Sequence, residues 1–345
     1  MDKKKNYCGV ENFMNFEDFI GQNNIVYTLK NKLAKDKIGH AVLFSGPKGQ
    51  GKKTLASLFS KAILCLDKKP GEADFCGKCL SCNKIDKFIH PDLYYIGPQG
   101  KSIKIEQIRE LKKELNFRPT EGRKKILIFD VVELMSIEAA NSMLNILEEP
   151  PEYVLSVLLT TNPSLLLPTI LSRCEIYKFS PVPPVEMYEF FSKKNDYTES
   201  EINRAIAFSG GYLYKARSYL EGDAYKTEES YLVDLFHNLT GDGSIKHLFE
   251  AAEELAAKED EELEVFFEIF TLYLRDLFVS LITDKENFIA GFENIRPFTG
   301  YFTPEKIELI MSKIEKTRRY LSSNVNRSLA FEGMLLEIKE VMANE

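Results

Sequence analysis

The chain has 345 residues, 44% of them hydrophobic. That is more length than a single core usually serves, so two or three domains are expected. Its formal charge of −7 argues against nucleic-acid binding by the whole surface, leaving a local patch or partner subunits for any such contact. The opening Met1-Asp-Lys-Lys-Lys lacks an apolar run and no stretch approaches the roughly 20 apolar residues of a membrane span, which points to a soluble, cytoplasmic protein without a membrane partner.

In chain order, Ile25, Leu29 and Leu33 line one face of a helix, and Ile38-Gly-His40 feeds a buried strand over 41–45. Leu43-Phe-Ser-Gly-Pro-Lys-Gly-Gln-Gly-Lys-Lys-Thr54 then reads as strand, glycine loop and helix start, the form of a phosphate-binding loop. Gly46, Gly49 and Gly51 let backbone N–H groups turn toward a phosphate at a helix N-terminus, and Lys52 adds a point charge. The position after Lys52 should be Ser or Thr, whose hydroxyl ligates Mg²⁺, but Lys53 stands there. Thr54, one residue further on, points about 100° away on a helix. The site is therefore a degenerate nucleotide site, in which retention of ATP, ADP or phosphate stays open.

The helix from Leu55 to about Leu66 has Leu55, Leu58, Phe59 and Ala62 on its packing stripe. A compact insertion follows, with Cys65, Cys76, Cys79 and Cys82 in eighteen residues. Four thiolates at this spacing suit tetrahedral Zn²⁺ with no position left open for chemistry, so the metal would be structural. Disulfides, an iron–sulfur cluster and unliganded thiols are the other readings. Cys8 and Cys174 stand alone, and His90 reads as the cap of the turn His90-Pro-Asp.

Leu93–Ile96 reads as a strand and 103–117 as a helix with Ile105, Ile108, Leu111 and Leu115 inward. Ile126-Leu-Ile-Phe-Asp130 is an apolar strand ending in the acid that would position Mg²⁺ in a phosphate-loop enzyme. Ser136 caps a helix with Ala139, Met143, Leu144 and Leu147 inward, stopped by Glu148-Glu-Pro-Pro. Val154–Leu159 is another buried strand, followed by Thr160-Thr161-Asn162, where a polar residue could sense a γ-phosphate, and by Leu171-Ser-Arg173-Cys. Arg173 reads either as a surface charge or as an arginine reaching a neighbouring subunit's nucleotide site. Strands alternating with helices predict an α/β domain with a mostly parallel sheet covered on both faces, over 1–180 with the cysteine module at about 65–82. Ser180-Pro-Val-Pro-Pro184 is a stiff hinge into short helices punctuated by Ser209-Gly-Gly211, a small helical domain over 181–222. Amphipathic runs at 228–239, 244–258, 261–282, 304–321 and 325–342 fill an all-α domain over 223–345. Its stretch 250–264 holds eight acidic residues and one lysine, the mark of a solvated face or a basic partner.

Several segments together resemble the clamp-loader subunits of bacterial DNA polymerase III. They are Phe16-Glu-Asp-Phe-Ile-Gly-Gln, His40-Ala-Val-Leu-Phe-Ser-Gly-Pro, the four-cysteine insertion, Arg118-Pro-Thr-Glu-Gly-Arg-Lys-Lys, Asn145-Ile-Leu-Glu-Glu-Pro-Pro and Leu171-Ser-Arg-Cys, with Asn324-Val-Asn-Arg-Ser-Leu as a weaker match further on. The resemblance implies an AAA+ core, a small helical lid and a helical collar through which five subunits form a ring. It implies as partners the tau/gamma and delta subunits, the sliding clamp indirectly, and primer-template DNA within the assembly. Active ATPases of this family carry a glutamate where this chain has Val131, and the motor subunit has a sensor arginine at the lid position of Tyr214. With Lys53, three nucleotide-handling positions are altered while Arg173 is kept, the pattern of the family's non-motor member. Two other readings are a working tau/gamma-like ATPase in which Thr54 takes the metal, and a zinc-dependent DNA-binding regulator. Hydrolysis by the isolated chain would mark the first, and a basic face or recognition helix the second.

Overall fold

The computed structural model describes residues 15–193, 196–240, 244–282, 293–321, 323 and 325–343; Cys8 and Asn324 lie outside them. The chain divides into two units, one reaching Phe190 and including Tyr212–Tyr214, the other formed by Phe191–Gly211 and the residues from Lys215 onward. No helix among the described residues is long and apolar enough to cross a membrane.

The first unit is a five-stranded, wholly parallel sheet between helices. Its strands are β1 (Ala41–Ser45), β2 (Leu93–Ile96), β3 (Lys125–Phe129), β4 (Val154–Thr160) and β5 (Glu175–Lys178), in the order β2-β3-β4-β1-β5. Every residue of β1, β3 and β4 is buried, as a parallel sheet covered on both faces requires. The two-residue period sorts their side chains into two cores. Val42, Phe44, Ile126, Ile128 and Val157 join α1 (Asn23–Ala34), α2 (Lys52–Leu64) and Phe75 of the cysteine insertion. Leu43, Leu127, Phe129 and Leu158 join α4 (Ile105–Glu114), α5 (Ile137–Glu148) and α6 (Pro168–Leu171). The apolar stripes expected on α1 and α2 are buried throughout, and the Ser136 hydroxyl caps α5 by accepting from Ala139 N–H.

Two elements are additional to the sequence reading. β5 pairs with β1 at the sheet edge, with only Tyr177 of its four residues buried. α3 (Leu80–Asp86) forms inside the cysteine insertion, started by the Cys79 sulfur accepting from Cys82 N–H. A buried polar hub fixes the approach to β2. His90 Nδ1 accepts from Asp92 N–H at 3.1 Å, and the Asp92 carboxylate accepts from the N–H groups of Thr120, Glu121 and Gly122 at 2.6 to 2.8 Å. These bonds outweigh the burial that opposes them and hold the Asp92 carboxyl below its usual range.

The prolines after Phe179 lead into α7 (Pro184–Ser192), and α8 (Glu199–Ser209) ends at Gly210 in the left-handed conformation, a helix stop that glycine allows without strain. α9 (Leu213–Glu221) follows. The remaining helices are α10 (Asp223–Thr240), α11 (Ile245–Ala257), α12 (Asp260–Ile282), α13 (Pro304–Leu321) and α14 (Arg327–Ala343). Their core is strongly aromatic: Phe236 lies within 6 Å, centroid to centroid, of Phe270, Tyr273, Phe298 and Phe302.

Candidate nucleotide loop, cysteine cluster and exposed arginine

The strand order brings the carboxyl ends of β1, β4 and β3 side by side, where open parallel sheets place their ligand sites. The loop after β1 turns through glycines with φ of 157° at Gly46, 82° at Gly49 and 81° at Gly51. A side chain at Gly49 would meet Cβ of Tyr214 at 2.8 Å, so the tyrosine closes over the loop at that point. α2 begins at Lys52 with no side chain capping it.

Lys52, Lys53 and Asp130 are engaged by the chain itself. The Lys52 amine donates to the Pro47 carbonyl at 2.6 Å and also to that of Gly46. Burial, only partly offset by the Glu133 and Asp130 carboxylates, lowers its pKa to about 8. The Lys53 ammonium lies 2.6 Å from Asp130 Oδ2, and the Tyr95 hydroxyl donates to the same oxygen. The acid just beyond β3 thus has an internal cation and a hydroxyl donor where a phosphate-loop enzyme would use it to position Mg²⁺. No hydrogen bond ties Thr54 to this group among the described residues. Val131 follows Asp130 in the left-handed region, φ 54°, a costly conformation for a β-branched residue. One oxygen of Glu133 accepts from Thr161 N–H at 2.8 Å and from Thr161 Oγ1 at 2.5 Å. Burial works against this carboxylate, but the Thr161 bonds prevail and keep its pKa low. Gly46, Gly49, Gly51, Lys52, Asp130 and Thr161 are therefore gathered at one edge of the sheet.

The four cysteines of the insertion converge, with all Sγ atoms within 4.8 Å of one another. Cys65 and Cys79 Sγ are 3.9 Å apart, close to the roughly 3.8 Å edge of a sulfur tetrahedron around zinc with Zn–S of about 2.3 Å. Backbone N–H groups of Cys76, Cys79 and Cys82 point at sulfurs at 3.4, 3.2 and 3.5 Å, donors that favour thiolate. Burial raises the Cys65 and Cys82 thiols; at Cys79 burial is overcome by these and other donors and the pKa falls to about 7. The donor set fits a metal ion and supplies four ligands, so a bound ion would be enclosed. The cluster is anchored to α2, since Ser81 Oγ donates to the Leu64 carbonyl at 2.7 Å and Lys61 pairs with Asp86 at 2.5 Å beneath the Phe75 ring.

Arg173 lies in the turn between α6 and β5. Its Nη2 pairs with Glu148 at 2.7 Å and its Nη1 donates to the Thr169 carbonyl at 2.8 Å, with about a third of the side chain exposed. Burial raises the neighbouring Cys174 thiol to about 12, which makes it inert as a nucleophile.

The family model described as "DNA polymerase III, delta subunit" matches residues 21–183. The DNA polymerase III subunit delta' of Bacillus subtilis is 29% identical over 322 residues, covering 92% of this chain and 96% of that one. Over these residues the chain is similar to DNA polymerase III subunits. The parallel sheet with its glycine loop after β1, and the cysteine insertion, lie within the matched residues. The tau subunit of B. subtilis is 33% identical over 230 residues, 63% of this chain but 40% of that relative, so the likeness to tau concerns a minor part of that protein. A solved gamma subunit-related protein of Thermotoga maritima covers 92% of this chain and 99% of its own at 20% identity and a TM-score of 0.47.

Proposed function

We propose that this chain is a member of the DNA polymerase III clamp-loader family, a delta-prime-like, non-motor subunit with an AAA+ core. It takes its place beside tau/gamma and delta subunits, contributes Arg173 to a neighbouring ATP site, and so assists loading of the sliding clamp on primed DNA. Its three parts on this reading are the AAA+ core to residue 180, a lid over 181–222 and an oligomerising collar over 223–345. The contact between Lys53 and Asp130 carries the reading. A fixed ammonium 2.6 Å from the acid opposes entry of a divalent cation by direct repulsion and removes its ligand at once. Val131 offers no acceptor to orient an attacking water, and Tyr214 supplies no positive charge over the loop. Arg173, by contrast, keeps about a third of its side chain exposed, and on this reading serves a site outside this chain. The four cysteines hold zinc as a closed structural centre that keeps the insertion folded.

The isolated chain should not hydrolyse ATP above background in Mg²⁺. Turnover that requires Mg²⁺ and disappears in Lys52→Ala would instead identify a working ATPase.

A further inference from the structure

We propose that Glu148 is the positioning residue for Arg173, holding the guanidinium oriented for use by a neighbouring subunit. This rests on the reading of Arg173 given above.

Glu148 is the last residue of α5. A carboxylate there meets the negative end of the helix dipole, which is unfavourable, and no basic residue lies in that last turn to offset it. Helix formation therefore gives no reason for an acid at this position. Its partner is Arg173, 25 residues further on, reached across 2.7 Å. The Thr169 carbonyl takes Nη1 at 2.8 Å, so the two terminal nitrogens are fixed by different elements, one by the end of α5 and the other by α6. Two contacts from separate directions define the plane of a guanidinium, which one contact would leave free to rotate. The Nε of Arg173 has no acceptor among the described residues, and the side chain stays about one-third exposed, so donor edges remain for an external anion. Ordering a free arginine costs rotamer entropy; here much of that ordering exists before any partner arrives. The carboxylate acts through the arginine and has no direct part in the chemistry.

The test uses complexes reconstituted from tau/gamma, delta and this chain, with clamp and primed DNA. The measured quantity is the increment in kcat separating wild-type complexes from those with Arg173→Ala. Glu148→Gln, which keeps shape but loses charge, should reduce that increment roughly tenfold with KM for ATP unchanged. The double variant should be no slower than Arg173→Ala alone. In the isolated chain, the Arg173 Nε–H should exchange with solvent faster in Glu148→Gln than in wild type, a change that loss of generic stability elsewhere does not produce. An intact increment in Glu148→Gln beside a reduced rate in Arg173→Ala overturns the positioning role while leaving the trans-acting arginine standing. A larger increment would mean that Glu148 restrains Arg173, which also overturns it. Equal rates for wild type and Arg173→Ala remove the underlying reading, and this inference with it.

Discussion

The loop at 46–54 and the turn at 172–174 handle charge in opposite ways. In the loop, the two consecutive lysines are bound by their own chain, Lys52 to two carbonyls and Lys53 to Asp130. In the turn, Arg173 is held by Glu148 and Thr169 but keeps an unused donor edge and a share of exposed surface. The first arrangement stabilises the subunit at the expense of ligand binding. The second keeps an expensive, ordered cation available, which is of little use to a monomer. On the proposed function, one domain would give up nucleotide chemistry at its own loop and still supply a group to a neighbour's site.

The sharpest way to break that contrast is to remove the arginine. In the assembled complex Arg173→Ala should cost the one dependent site about 10³–10⁵ in rate, the range known for arginines supplied in trans. Because other sites remain, total clamp- and DNA-stimulated ATP hydrolysis should fall only in part, with folding and assembly intact. Arg173→Lys should not restore it, since an ammonium lacks the planar fork of donors. Equal hydrolysis by all three complexes would erase the difference between the two regions.

Metal removal should have the next largest effect. One zinc per chain is expected by elemental analysis of reduced protein. Chelation, or Cys65→Ser, should open residues 65–82 to protease while most helical signal survives, because the ligands all come from one short insertion and most helices lie outside it. Protein that contains no metal yet protects the insertion would show that packing around Phe75 and Ile85 suffices by itself.

The smallest effect concerns acid stability. Burial lowers the pKa of His90, with Asp92 and Glu121 opposing and Lys84 assisting, so the unfolded chain binds this proton more readily than the folded one. Stability from this group is fully present above the ordinary histidine pKa of about 6.5 and declines as pH falls below it, until the folded pKa is reached. His90→Asn keeps an acceptor for Asp92 N–H and cannot titrate there. Urea midpoints measured between pH 7 and 5 should therefore fall less steeply for the variant than for wild type, and parallel curves would exclude His90 as the source.

Much of this was legible in the residues themselves. The strands over 41–45, 93–96 and 154–159 are continuous apolar runs bounded by turns, and the loop glycines sit where only their conformational freedom permits the turn. β5 was not legible because Glu175-Ile-Tyr-Lys buries one side chain in four. Its identity as a strand comes from pairing with β1, more than 130 residues away in sequence. α3 escaped because seven residues carry little periodicity and a cysteine sulfur starts them. In the site, Lys53 and Asp130 were each conspicuous as residue types. That they meet depends on β4 lying between β1 and β3, a fact of topology that no local pattern contains. The same holds for Glu133 with Thr161 and for Glu148 with Arg173.

One consequence of this wiring concerns α2 as a mechanical element. Its first turn is fastened through Lys53 to the end of β3, its last residue through the Leu64 carbonyl to Ser81, and its flank through Lys61 to Asp86. Helices ordinarily fray from their ends; this one is a beam pinned at both, and neither end can loosen without first separating an ion pair or disturbing the thiol cluster. The helix is thus a fixed member of its own domain, its position set by side-chain contacts at both ends and along one flank.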